Sequence, residues 1–291
     1  MNARTLKSSL ILLLVAVIWG STFVAQRVAM GSIGPLFYTA VRFALGGLLL
    51  LPFALVALRK EQFKKRDLVA GVAAAGLALF GGASLQQMGM VETPAGKAGF
   101  ITGLYVVLVP LILLFWRKRP STGELCGAAL SIAGLYFLSV HGRISLEPGD
   151  AWVIASAFVW AVHLLVLGHF SPRLPTFIFA SGQFIVCAVL SMAAALVFEP
   201  VRVSMVGSSA VPIIYGGAVS VCIAYTLQIF AQRELPPTFT AIILSLETVF
   251  AAVFGAVILG ERMGGRELVG ASLMFAGMMA AQLAPRRRIT L

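Results

Sequence analysis

The chain has 291 residues, of which 59% are hydrophobic and 11% charged, and its mean hydropathy is +0.97. A soluble domain is about a quarter charged and about half apolar, and a single core has no room for this excess. The balance excludes a soluble enzyme, a nucleic-acid binder and a disordered chain; the net charge of +11 lies in small basic clusters between apolar runs, where positive charge holds loops on the cytoplasmic side of a bilayer.

Taken in chain order, ten apolar stretches bounded by charge, Gly and Pro read as helices: Ser8–Val28, Leu36–Leu58, Asp67–Gly89, Pro94–Trp116, Gly123–Val140, Gly149–Gly168, Thr176–Phe198, Ala210–Ala231, Pro237–Leu259 and Arg266–Leu283. None alternates apolar and polar residues, so a barrel is excluded, and helices satisfy the backbone internally, as hydrocarbon demands. The first run follows Arg4 and Lys7 but is too long for a cleaved signal peptide, and many more like it follow. The expected fold class is an all-α integral membrane protein with ten transmembrane helices.

Basic residues orient it. With the N-terminus inside, fifteen Lys and Arg fall on that side: Arg4, Lys7, Arg59, Lys60, Lys64, Lys65, Arg66, Arg117, Lys118, Arg119, Arg173, Arg233, Arg286, Arg287 and Arg288. Four fall outside: Arg143, Arg202, Arg262 and Arg266. The asymmetry predicts two cytoplasmic termini and an even number of spans. One helix more or fewer scrambles it.

The chain also repeats itself. Leu85-Gln86, Pro94 and Leu104 match Leu227-Gln228, Pro236 and Leu246 at a separation of 142. Glu124, Gly127 and Gly134 match Glu267, Gly270 and Gly277 at 143, Trp19 matches Trp160 at 141, and Pro35-x-Phe37 matches Pro175-x-Phe177 at 140. Five spans in each half force the second to enter from the opposite face, which predicts inverted repeats over residues 8–140 and 149–283. In transporters of that design the substrate site lies near midplane between the halves.

At Ile18-Trp19-Gly20-Ser21-Thr22-Phe23, Val41-Arg42-Phe43, Ala95 to Tyr105, and Leu244-Ser245-Leu246-Glu247-Thr248-Val249-Phe250 followed by Leu259-Gly260-Glu261, the sequence resembles the EamA-type members of the drug/metabolite transporter superfamily. The likeness covers nearly the whole chain. It implies a multi-pass protein of the cell inner membrane that moves small metabolites, amino acids or drugs, usually outward. Relatives often carry Pro at the position of Thr248, so a straighter helix is expected there.

Glu247 is the one acidic residue deep within a predicted span. A carboxylate at that depth costs several kcal/mol and must face the bundle interior. It reads as a substrate-amine site or a proton-coupling site, or as a structural partner of Lys97 or Arg42; Tyr105 holds the matching position of the first half. Arg42 suits a carboxylate or phosphate, with Tyr38 one turn earlier on the same face, or it snorkels outward. Lys97, one turn inside its span, has the same two readings, and Arg27 reads as an interfacial anchor. Trp19, Thr22 and Gln26 form one stripe, and Tyr225, Gln228 and Gln232 another. Gln86, Gln87, His163 after Trp160, and Gln183 add polar points, each equally able to bridge helices.

Ala95, Gly99 and Gly103 suit close helix packing, and Pro52 and Pro110 suit kinks. Cys126, Cys187 and Cys222 read as core residues, with neither disulfide nor metal spacing. There is no Walker loop, H-E-x-x-H or G-x-S-x-G, so no enzyme and no cofactor is expected. The expected partners are a small-molecule substrate, the lipid bilayer and protons as a coupling ion, with no nucleic acid. Rival readings are a sugar-phosphate or nucleotide-sugar antiporter, which wants several cavity cations, and a non-transporting membrane scaffold subunit.

Overall fold

The computed structural model describes residues 3–116, 120–139, 147–259 and 264–283, and among them the regular structure is all helical, without strands. The expectations for Arg117, Lys118, Arg119, Val140, Arg143, Gly260, Glu261, Arg262 and Arg286 to Arg288 lie outside the described residues.

The first half comprises α1 (Ala3–Ala29), α2 (Pro35–Lys60), α3 (Lys65–Gly89), α4 (Ala95–Gly103), α5 (Tyr105–Phe115) and α6 (Thr122–Ser139). The second comprises α7 (Pro148–Phe170), α8 (Thr176–Phe198), short α9 (Ser204–Ser208) and α10 (Ala210–Ile214), a π-helical stretch over Tyr215–Tyr225, α11 (Thr226–Gln232), α12 (Pro237–Leu244), α13 (Glu247–Leu259) and α14 (Gly265–Leu283). Eight continuous or broken rods are long and apolar enough to cross a membrane. The apolar run of α6 is shorter, Thr122–Leu138, and α14 is outside the eight, so the expected count of ten rests on this pair, which packs together along its length.

Three of the expected spans are interrupted. The span from Pro94 turns at Leu104, and the span from Pro237 turns at Ser245-Leu246 despite the absence of Pro at Thr248. At each turn the backbone tightens to i→i+3 hydrogen bonds, Leu104 N to Ile101 O at 3.2 Å and Leu246 N to Ile243 O at 3.2 Å. The Ser245 hydroxyl donates to the Ile242 carbonyl at 2.9 Å, satisfying a group the break would expose. The third interruption is the π-helical stretch. Pro52 and Pro110 lie within α2 and α5 without ending them.

Helix ends are tied to other helices. Glu199, closing α8, accepts the Leu36 and Phe37 N–H groups at 2.7 and 2.9 Å, caps that the Pro35 start leaves open. Arg27, read as an interfacial anchor, donates to the Met90 and Val91 carbonyls at 2.7 and 2.6 Å and so caps α3. Glycine lets the rods touch: a Cβ on Gly134 would lie 2.6 Å from the Gly270 carbonyl oxygen, and one on Gly127 2.7 Å from that of Gly277. Cys187 is buried, whereas Cys126 is exposed on the apolar outer surface rather than in the core.

Candidate functional site: a polar cavity between the halves

A cavity of about 50 Å³ lies at the centre of the bundle. Corresponding residues of the two halves face it in pairs: Trp19 with Trp160, Phe23 with Leu164, Gln86 with Gln228, Thr102 with Leu244, and Tyr105 with Glu247. Arg42, Gln26, His163, Ser220 and Tyr225 complete the lining. The two broken rods deliver the last two pairs, because Tyr105 opens α5 and Glu247 opens α13 just past the turns. Glu247 therefore sits where the first N–H groups of α13 favour negative charge. The Tyr105 hydroxyl donates to its Oε1 at 3.0 Å.

Around Tyr225 the rings of Trp19, Phe43, Phe184, Trp160 and His163 gather with centroids 4.6 to 6.3 Å away. This makes a stiff apolar wall. On the other side the Trp160 indole N–H donates to Gln86 Oε1 at 2.8 Å, and Gln86 Nε2 to Gln26 Oε1 at 3.4 Å, so three spans share one polar chain. Arg42 is 4% exposed, and its guanidinium lies over the rings of Tyr38 and Phe43, at 5.2 and 5.1 Å. Among the described residues it has no ion-pair partner. Three buried atoms on the cavity lining lack hydrogen-bond partners within the protein: Arg42 Nε, Thr102 Oγ1 and Gln228 Oε1. A buried polar group left so costs about 1–3 kcal/mol, which a bound polar solute or water recovers.

Nine expected site residues thus line one cavity: Trp19, Gln26, Arg42, Gln86, Tyr105, His163, Tyr225, Gln228 and Glu247. Four lie elsewhere. Thr22 turns its hydroxyl to its own Ile18 carbonyl at 2.7 Å, and Phe23 takes its place in the stripe. Tyr38 stands behind Arg42, donating to the Pro212 carbonyl at 3.2 Å. Gln183 holds His163 from behind through Oε1 at 2.9 Å. Lys97 is ion-paired with Asp150 at 2.6 Å rather than with Glu247, since Asp150 enters the same seam from α7. Gln232 binds the Leu164 carbonyl at 3.1 Å instead of facing the cavity. Thr102 and Ser220 were missed; the 142-residue offset from Leu244 and the three-residue spacing to Tyr105 could have pointed to Thr102.

Comparison with known proteins follows the same halves. The sequence model of the EamA-like transporter family matches twice, over residues 6–140 and 147–281. An uncharacterized transporter of Archaeoglobus fulgidus is 30% identical over 283 residues, covering 97% of this chain and 88% of the relative. The threonine/homoserine exporter RhtA of Salmonella typhimurium is 29% identical over 262 residues, covering 86% of this chain and 82% of the relative. A solved crystal structure superposes with a TM-score of 0.76 at 22% identity over 95% of this chain and 96% of the other, which supports the fold.

Proposed function

The chain belongs to the EamA-like transporter family, and from that premise we propose that it is a secondary exporter of small dipolar metabolites, amino acids foremost, across the plasma membrane. One observation carries the reading: a buried cation and a buried carboxylate, Arg42 and Glu247, line the same small cavity and are not paired with each other. The guanidinium fork suits a substrate carboxylate, and Glu247 suits its ammonium. Thr102 Oγ1 and Gln228 Oε1 offer further hydrogen bonds, and the wall around Tyr225 takes the apolar part. The export of threonine and homoserine named for the Salmonella relative agrees with such a solute.

We read the mechanism as alternating access by two inverted five-helix repeats, residues 8–140 and 149–283. The pairing of helices supports it: α1 packs on α13 as α7 packs on α4 and α5, while α2 with α8 and α6 with α14 are contacts between corresponding helices. A cavity of about 50 Å³ is well below the roughly 300 Å³ of an occupied small-molecule site. Loading therefore requires the walls to part and close again. Glu247 serves as the proton-coupling site when no ammonium occupies it. A sugar-phosphate antiporter fits less well, because among the described lining residues Arg42 is the one Lys or Arg.

The test is efflux from vesicles reconstituted with purified protein and loaded with a panel of amino acids, their amides and their N-acetyl derivatives. Saturable efflux of the zwitterions over both derivatives supports the reading. Absence of any flux, with a protein partner co-purifying, would favour the scaffold role instead.

A further inference from the structure

Where α3 turns into α4 and meets the start of α7, the chain is clamped. A Cβ on Gly89 would fall 2.7 Å from the Gly149 carbonyl oxygen, and one on Gly149 2.6 Å from that of Gly89. The buried Asp150 carboxylate accepts Lys97 at 2.6 Å, the Thr93 hydroxyl at 2.9 Å and the Glu147 N–H at 2.8 Å. The corresponding seam of the other half lies where α11 turns into α12 and meets the start of α1. Every clamp residue is replaced there: Leu235 stands for Thr93, Phe239 for Lys97, and Ser8 and Ser9 for Gly149 and Asp150. In place of that clamp, the seam holds a cavity of about 290 Å³ lined by Arg4, Lys7, Ser8, Phe230, Arg233 and Glu234.

Three cations face one carboxylate there. The Lys7 ammonium lies 5.9 Å over the Phe230 ring, and Arg233 Nη1 reaches Thr176 Oγ1 at 3.4 Å with further N–H groups to spare. The outer surface of α1 continues from this rim as a stripe of exposed Leu6, Leu10 and Leu14 at four-residue spacing, with exposed Phe230 beside the cavity. A positive hollow at the end of apolar rods is the shape of a lipid headgroup site. A free solute would leave the stripe unused.

We propose that this cavity binds the phosphate headgroup of an anionic phospholipid in the leaflet at the N-terminal side, with acyl chains along Leu6, Leu10 and Leu14. The lipid thereby closes with charge the seam that Lys97 and Asp150 close at the corresponding place. The correspondence of the seams rests on the repeat reading above; the site itself stands without it.

The experiment is native mass spectrometry of the full-length protein in detergent, titrated with phosphatidylglycerol, phosphatidylcholine or glycerol phosphate. Saturable binding of phosphatidylglycerol alone is expected. Lys7→Gln and Arg233→Gln, both exposed side chains, should each weaken it about fivefold, the worth of one basic residue at a lipid surface. Lys60→Gln at the end of α2 should leave it unchanged. Equal binding of phosphatidylcholine, binding of glycerol phosphate as tight as that of the lipid, or indifference to both variants would overturn the proposal. Efflux is read on the same preparations: flux without lipid selectivity sinks this site alone, and lipid selectivity without flux sinks the transport reading alone.

Discussion

Tyr105 and Glu247 stand 142 positions apart in the chain and 3.0 Å apart in space, phenol donating to carboxylate. Each is the first residue of the second piece of a broken rod. Positions matched by the 142-residue offset thus carry unlike chemistry, an acid and its hydrogen-bond donor, on a single cavity.

Glu247→Gln should abolish concentrative efflux of zwitterions while leaving a folded protein, because the amide keeps the Tyr105 contact but accepts neither an ammonium's charge nor a proton. Tyr105→Phe removes one hydrogen bond to a charged group, worth about 1.5–3 kcal/mol, and should slow efflux by roughly tenfold or more. Vesicle flux at several pH values checks both. Full rates in Glu247→Gln at every pH would contradict its role.

Arg42→Lys should raise the half-saturating concentration for zwitterions and Arg42→Gln should raise it further, since an ammonium lacks the planar fork that grips a carboxylate. Selectivity against the amide derivatives should fall in parallel. The check is competition by the amides in the same flux assay, and unchanged competition would remove Arg42 from the site.

Lys97→Met leaves Asp150 buried, at 1% side-chain exposure, without its cation. Breaking a buried pair costs about 3–5 kcal/mol, and with Lys97 27% exposed the low end is expected. Lys97→Met with Asp150→Asn should recover part of the loss. Thermal melting in detergent measures this, and in the protein that remains folded the half-saturating substrate concentration should not move, because Lys97 lies off the cavity.

Gly134→Ala should lower the melting temperature, because a Cβ there meets Met274 Cγ at 2.5 Å and the Gly270 carbonyl oxygen at 2.6 Å, both on packed α14. Overpacking of this kind costs about 1–3 kcal/mol. Gly96→Ala, with nothing within 4 Å, is the control and should be neutral or slightly stabilising.

Hydropathy made the rods legible: α8 runs Thr176–Phe198, the bounds its apolar run predicts, because solvent transfer alone decides where such a rod ends. The breaks at Leu104 and Ser245-Leu246 were hidden, since a turn among apolar and small residues leaves the hydropathy of the span unchanged. Side-chain chemistry pointed to Glu247 and Arg42, for charges at bilayer depth are costly enough to be informative. Lys97 misled because its partner is 53 positions away on α7, and hydropathy gives no register between rods. Thr22 misled for a local reason: its hydroxyl satisfies itself on its own helix, leaving Phe23 to face the cavity.

Thr102 offers the most direct measurement, since it lines the cavity and has no protein hydrogen-bond partner. With Cys126, Cys187 and Cys222 replaced, Thr102→Cys is exposed to a membrane-impermeant thiol reagent from either side of oriented vesicles. Labelling from both sides, slowed by the transported amino acid, is the result that two rocking inverted halves require. Labelling from one side alone, or at a rate the amino acid leaves untouched, would contradict them.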